Sequence, residues 1–492
     1  MYAPHERPPP SAEPLVNVPS YEFLAFAAVV AILASLSARP GWRRAIMLTA
    51  NVGFLLTFSH TAAQLAPLVG FLALGYGSAK FFERYKNRAL FAVLVVVIVL
   101  AFCWLKHYTF IPDSAFLSFP YVTIGLSYVF FRVLHLVIDA YQDALPEPIS
   151  LAGYVSYTLN FTCLVSGPIQ LFADYRRTES VQPASLSLTD VGAALDRIVV
   201  GYFKVAVLSP VLWTAHAYSV SGLSDASDLI GRVLCGVFVL TVYPVYLYIN
   251  FSGYTDFVIG TARFLRLELP ENFNHPFVSE GFIEFWGRWH MTLSNWWKTY
   301  VYGPLFMALI RRFPSPHVQP LLGVVVYFVT FFFVGVWHGQ TSMFLFLGVL
   351  LGLGVSVNKL YQIEMTQRLG RARYRSLCRD RWYSTLSRGV TFSYFAFASL
   401  WFWSTWSQLG SFIIRLGPLG LAGTVAVTVA CSALALAAFK VTLDWYANKP
   451  APLAPAPSLY MRTAWYAAIV VLVLSVTVVL SAPAPTIVYK AF

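Results

Sequence analysis

From Phe313 to Asn358 the chain runs for 46 residues without a single Asp, Glu, Lys or Arg. A membrane span needs about 20 largely apolar residues, so this one stretch is long enough to cross a bilayer twice. Residues 45–79 form a second run of that kind. Shorter charge-free runs recur at 89–105, 151–173, 205–224, 233–255, 391–414, 416–439 and 463–489. With 21–38, 116–138 and the aromatic stretch 283–310, they amount to about 11 to 13 membrane segments, some of them short or re-entrant. Charged residues make up 11% of the chain, against about 25% in a typical soluble domain. The fold class expected is therefore an all-α polytopic membrane protein.

Lys and Arg exceed Asp and Glu by 34 − 22 = 12. In a chain this poor in charge, the excess reads as loop bias and not as a nucleic-acid footprint. Arg39, Arg43 and Arg44 follow the first span, the loop near 59–64 has no cation, and Lys80, Arg84, Lys86 and Arg88 come next. This alternation predicts an N-terminus outside and basic loops in the cytosol. The densest cluster, Arg368, Arg371, Arg373, Arg375, Arg379, Arg381 and Arg388, holds one acidic residue, Asp380. It reads as an orientation anchor or as a dock for anionic headgroups or an acidic partner. Residues 1–20 are Pro-rich and polar, a tail expected to be disordered, and 21–492 read as one transmembrane domain. The tail does not have the pattern of a cleavable signal peptide.

Five scattered cysteines with no CxxC pair argue against a disulfide framework and a cysteine zinc site. No GxSxG elbow, HExxH helix, GxxxxGK[ST] loop or GxGxxG turn is present. What remains are ionisable groups at membrane depth, where their cost makes each a functional candidate. His338 lies inside the charge-free run, in Gly335-Val336-Trp337-His338-Gly339. It is either a buried imidazole bonded to a carbonyl or, because desolvation opposes the charged form, a neutral general base. His290 lies in the run 285–297, where a continuous helix would put Trp286, His290, Ser294 and Trp297 on one face. That face suits a tunnel wall or, equally, an interfacial aromatic belt. The polar stretch 250–257 and the Pro-bearing 269–277 read as loop or broken helix. Pro168, Pro244, Pro270 and Pro276 mark the expected interruptions. Asp256 could pair with Arg263 or Arg288, or orient a histidine.

The runs PENFNHPF and EFWGRWHMTLSNWW within 270–297, FSGYTDFVIG (251–260) and VGVWHG (334–339) together resemble the membrane-bound O-acyltransferase family. The likeness is strongest to its bacterial branch of alginate O-acetyltransferases and teichoic acid D-alanyl transfer proteins. GLSYVFFRVLHLVIDAY (125–141) and LVSGPIQLFADY (164–175) are similar to that branch's upstream signatures, and PTIVYKAF (485–492) loosely to its C-terminus. The core of the resemblance covers 120–340. It implies a ring of helices around a central tunnel, with His338 essential and His290 its companion. Trp286, Trp289, Ser294, Asn295, Trp337, Asp256 and Asn272 are then candidates for the tunnel wall or substrate contacts.

The activity implied is transfer of a small acyl group, most simply acetyl, from a cytosolic thioester to a hydroxyl of a cell-envelope polysaccharide or to a periplasmic relay partner. Acetyl-CoA or an acyl carrier protein would be a substrate, with no bound cofactor and no metal. Partners implied are membrane lipid and a periplasmic acyltransferase or polysaccharide-synthesis protein, with no nucleic acid. D-Alanyl transfer from a carrier protein is the variant within this class. A flippase for a lipid-linked sugar is the reading from another class, since broken helices and buried histidines would serve it too.

Overall fold

A computed structural model of the chain describes residues 18–59, 61–180 and 187–448, and part of 461–475. The tail 1–17, most of the apolar run 463–489 and the motif at 485–492 lie outside the described residues. Among those described, every regular element is helical. The chain divides into two compact units, Met1–Val200 with Asp256–Pro270, and Gly201–Thr255 with Glu271–Phe492.

The first unit contains α1 (Tyr21–Ser35), α2 (Pro40–Leu56), α3 (Ala62–Arg84), α4 (Arg88–Leu105), α5 (Leu126–Tyr141), α6 (Leu151–Thr158), α7 (Phe172–Ser180) and most of α8 (Leu188–Phe203). Its core is built on aromatic edges. Phe23 meets Phe54 at 5.7 Å, Phe161 at 5.8 Å and Phe257 at 6.0 Å between ring centres, all four rings being buried. Around that core, polar side chains tie down irregular backbone. Arg132 on α5, buried, donates to the carbonyls of Thr158 (2.9 Å) and Cys163 (2.7 Å). Asn51 donates to Ser156 O and accepts from the Phe161 amide. Gln170 donates to Glu268 O, and Arg43 to the carbonyls of Leu265 and Arg266. A non-helical segment at membrane depth survives only where protein groups satisfy its backbone in this way.

The second unit continues with α9 (Ser209–Asp225), most of α10 (Leu229–Phe264), α11 (Phe282–Trp286), α12 (Met291–Trp297), α13 (Gly303–Arg312), α14 (Gln319–Trp337), α15 (Ser342–Arg379), α16 (Arg381–Trp403) and α17 (Trp406–Ala447). The run 313–358 folds as two crossings, α14 and the first part of α15. They pack closely because glycines face each other. A Cβ on Gly335 would sit 2.3 Å from Gly348 Cα, and one on Gly348 would sit 2.4 Å from Phe332 O. Small residues that let helix backbones approach are a principal means of holding spans together in lipid.

Seven helical stretches among the described residues are long and apolar enough to cross a membrane. They are Ala62–Arg84, Arg88–Leu105, Leu188–Asp225, Leu229–Phe264, Gln319–Trp337, Ser342–Arg379 and Trp406–Ala447, with Tyr21–Ser35 a shorter apolar helix. The protein is thus a multi-pass, all-α membrane protein. Several other apolar runs form short helices instead: 151–173 holds only α6 and the start of α7, and 283–310 is cut into pieces.

Two expectations require correction. Pro244 does not interrupt its segment, and 250–257 is not a loop; both lie inside the 36-residue α10. Hydroxyls there bond back to the helix itself, Ser252 donating to Ile249 O and Thr255 to Phe251 O, and Asp256 pairs with Arg197. The segment 269–277, by contrast, is irregular as expected, apart from a 3-10 turn that begins at Pro276.

Candidate active site

Both histidines belong to the second unit. His338 caps the C-terminus of α14, its amide donating to Gly335 O at 3.1 Å. The turn into α15 is tight, since a Cβ on Gly339 would lie 2.2 Å from the Phe344 ring. Only glycine lets the chain leave the histidine so closely against that phenylalanine. The imidazole is buried, with Trp337 at 4.8 Å and the edge of Phe402 at 4.9 Å between ring centres.

His290 is not on a continuous helix, so the single face expected for Trp286, His290, Ser294 and Trp297 does not form. The helix stops at Trp286, and His290 itself takes a left-handed backbone (φ 41°) before α12 begins. Non-glycine residues rarely adopt this conformation, and where they do it concentrates at functional sites. Two backbone bonds to the irregular segment 272–274 hold the break in place. The Asn274 amide donates to Arg288 O (2.9 Å), and the Met291 amide donates to Asn272 O (2.8 Å). The buried Asn272 side chain also accepts from Thr292 Oγ1 at 2.6 Å, pinning the start of α12. The His290 ring is fully buried against the face of Phe251, 4.9 Å away and nearly perpendicular to it. His290 and His338 are near enough to interact electrostatically.

A narrow chamber of about 10 Å³ adjoins His338, walled by Trp286, Trp289, Leu247, Leu351, Phe395, Ser399 and Phe402. Its size leaves room for about one water molecule. Trp286 is shared with a larger cavity of about 250 Å³, which Ser294, Asn295, Trp297, Lys298, Tyr302, Tyr327 and Thr330 also line. The sequence candidates therefore sort into groups. Trp286, Trp289 and Trp337 surround His338; Ser294 and Asn295 line the larger cavity; Asn272 shapes the backbone at His290. Asp256 belongs to the first unit and pairs with Arg197 at 3.0 Å, rather than with the Arg263 or Arg288 weighed from sequence. Sequence reasoning missed Phe402, Phe395, Ser399 and Leu247, whose segments carry no charged residue, and passed over Phe251 within the polar stretch 250–257. Among the described residues no cluster of His, Cys, Asp and Glu could hold a metal ion.

The chain is 24% identical over 356 residues to the teichoic acid D-alanyltransferase of Bacillus subtilis (strain 168), covering 70% of this chain and 86% of that one. It is 25% identical over 344 residues to the probable alginate O-acetylase AlgI of Azotobacter vinelandii, covering 66% and 64% respectively. To the peptidoglycan O-acetyltransferase of Helicobacter pylori (strain ATCC 700392 / 26695) it is 30% identical over 216 residues, 43% and 38% of the two chains. The family model of the membrane-bound O-acyltransferases matches residues 124–395, which include both histidines and more than half of the sequence. The chain belongs to the membrane-bound O-acyltransferase family and is an O-acyltransferase.

Proposed function

We propose that the protein transfers a small acyl group, most simply acetyl, from a cytosolic thioester to a hydroxyl of a cell-envelope polysaccharide or of a periplasmic relay partner. The observation that carries this reading is the buried His338, beside a small chamber walled by aromatic and aliphatic side chains, within the segment that matches the acyltransferase family. The attacking hydroxyl forms a C–O bond to the thioester carbonyl carbon as a ring nitrogen of His338 takes its proton. The C–S bond then breaks, and the leaving thiolate recovers that proton. A thiolate needs little acid help, so the base for the alcohol is the principal demand on the protein. Aromatic walls exclude water that would otherwise hydrolyse the thioester. His290, buried in the same unit, orients the acceptor. The donor is acetyl-CoA or an acyl carrier protein, and the membrane is the bacterial cytoplasmic membrane with the N-terminus outside.

D-Alanyl transfer is the second reading, favoured by the D-alanyltransferase relatives that this chain matches over most of their length. The two separate in one assay: purified protein in nanodiscs, given radiolabelled acetyl-CoA or a D-alanyl-charged carrier protein, with thioester loss and acceptor labelling measured. Acetyl transfer abolished in His338→Ala is the expected result. Turnover of the alanyl donor alone replaces acetyl by D-alanyl. Accumulation of a lipid-linked sugar in vesicles without acyl chemistry would overturn both.

A further inference from the structure

The arginine cluster at the junction of α15 and α16 has a geometry that a loop of scattered cations would lack. α15 is broken at Gly370, whose backbone is left-handed (φ 75°), so 371–379 forms a separate nine-residue helix. On that helix Arg371, Arg375 and Arg379 recur every fourth residue and share one face. All three are exposed, whereas Tyr374, Leu377 and Cys378 form a half-buried stripe that flanks them on the same short helix. Ring and hydroxyl contacts hold this second stripe down. The Tyr374 and Tyr361 rings meet nearly perpendicular, 6.5 Å between centres, and Tyr383 donates to Tyr361 at 3.0 Å. The stripe of cations is therefore fixed in direction.

Local carboxylates do not neutralise it. Glu364 pairs with Arg368 and Glu280 with Arg388. Asp380 is engaged as the N-cap of α16, accepting from the amides of Trp382 and Tyr383. A second observation sets the depth of the cluster. Trp382 (71% exposed), Leu386 (57%) and Val390 (50%) follow at four-residue spacing on α16, an outward apolar stripe that begins beside the arginines. On α15, Leu353, Val357, Leu360 and Tyr361 are likewise exposed and apolar up to the same level. Arg381 lies over the Trp382 ring at 5.3 Å, the arrangement of an indole at the edge of hydrocarbon with a cation at headgroup height.

We propose that Arg371, Arg375 and Arg379, with Arg381 and Trp382 at their edge, form a binding site for the anionic headgroups of phospholipids in the surrounding bilayer. The apolar stripes deliver acyl chains to the level at which the guanidinium stripe begins, so lipid of the same membrane is the occupant that meets both features. A soluble acidic protein would meet only the charge. Each arginine near an anionic surface contributes roughly fivefold in affinity.

The test is native mass spectrometry of the full chain from micelles containing equimolar phosphatidylglycerol and phosphatidylcholine. The wild type should retain phosphatidylglycerol preferentially, and retention should fall as salt is raised from about 50 to 500 mM. The triple variant R371Q/R375Q/R379Q should bind on the order of a hundredfold more weakly, while R311Q/R312Q on α13 should bind as the wild type does. If the triple variant does not fold, the single variants should each show a several-fold loss. Equal retention of the two lipids by the wild type overturns the proposal, as does salt-independent retention. Protection of these arginines by added polyglutamate, without any preference for phosphatidylglycerol, would replace lipid by an acidic protein partner.

Discussion

Buried polar side chains play opposite parts in the two units. In the first, Arg132, Asn51, Gln170 and Arg43 each spend their donors on backbone carbonyls of irregular segments. In the second, His290 and His338 pack against aromatic rings: Phe251 for one, Trp337 and Phe402 for the other. The first arrangement makes a backbone path rigid, since each lost bond would leave a carbonyl unsatisfied in a dry interior. The second places the His338 imidazole beside a small, mostly apolar space, where a lone pair can meet a substrate. Burial alone does not distinguish structure from chemistry; the partners do.

The contrast is broken most directly at His338. His338→Gln keeps a polar group of similar reach but cannot take up a proton usefully at neutral pH. Turnover should fall about 10²–10⁴-fold, while membrane insertion and thermal unfolding in detergent stay as in the wild type. Near-normal kcat in this variant would make the imidazole a positioning group. At Arg132 the prediction is reversed. Arg132→Leu leaves the Thr158 and Cys163 carbonyls without their donor, at about 1–3 kcal/mol each. Thermal unfolding should show the loss directly, and the protein that remains folded should turn over almost normally. A large fall in kcat with unchanged stability would mean that the first unit takes part in the chemistry.

His290 sharpens the comparison because it combines a buried ring packed on Phe251 with a strained backbone. His290→Asn separates them, since Asn tolerates the left-handed conformation better than most residues. Activity should drop roughly tenfold to a hundredfold with folding preserved. His290→Val should also lose stability, because a β-branched residue at φ 41° is strongly disfavoured. If Asn restores full turnover, the residue matters for its backbone alone.

How much of this was readable in the sequence follows from the same physics. Charge-free length was enough to foresee the α2–α3 and α14–α15 pairs, because lipid tolerates few other folds for such runs. The bond from Thr255 to Phe251 O shows why 250–257 misled: side chains that would mark a loop in water can satisfy themselves within a helix in lipid. The break at 287–290 was hidden for a different reason. Its cause is the pairing of 288–291 with 272–274, a contact between segments that no local pattern encodes. In the site, the histidines and their indoles were visible as polar or amphipathic residues in apolar sequence. Phe395 and Phe402 were not, since an aromatic facing a chamber and one facing lipid look alike until the helices are packed.

Phe402 offers the smallest and most discriminating test. Its edge approaches His338 at 4.9 Å, and it lines the chamber with Ser399 one helical turn earlier on α16. Phe402→Leu keeps the wall apolar and changes little volume, so the helix should pack as before. What disappears is the edge-to-face contact, worth about 0.5–1.5 kcal/mol, and with it part of the constraint on the ring's orientation. A base must sit within hydrogen-bond reach of the proton it removes, so looser placement should lower kcat a few-fold and leave KM for the thioester nearly unchanged. Phe402→Tyr acts on the same wall differently, by adding a hydroxyl to a space of about 10 Å³. It should exclude the acyl group and raise KM instead. If both variants change only stability, Phe402 is ordinary packing, and the chamber beside His338 is not where the acyl group rests.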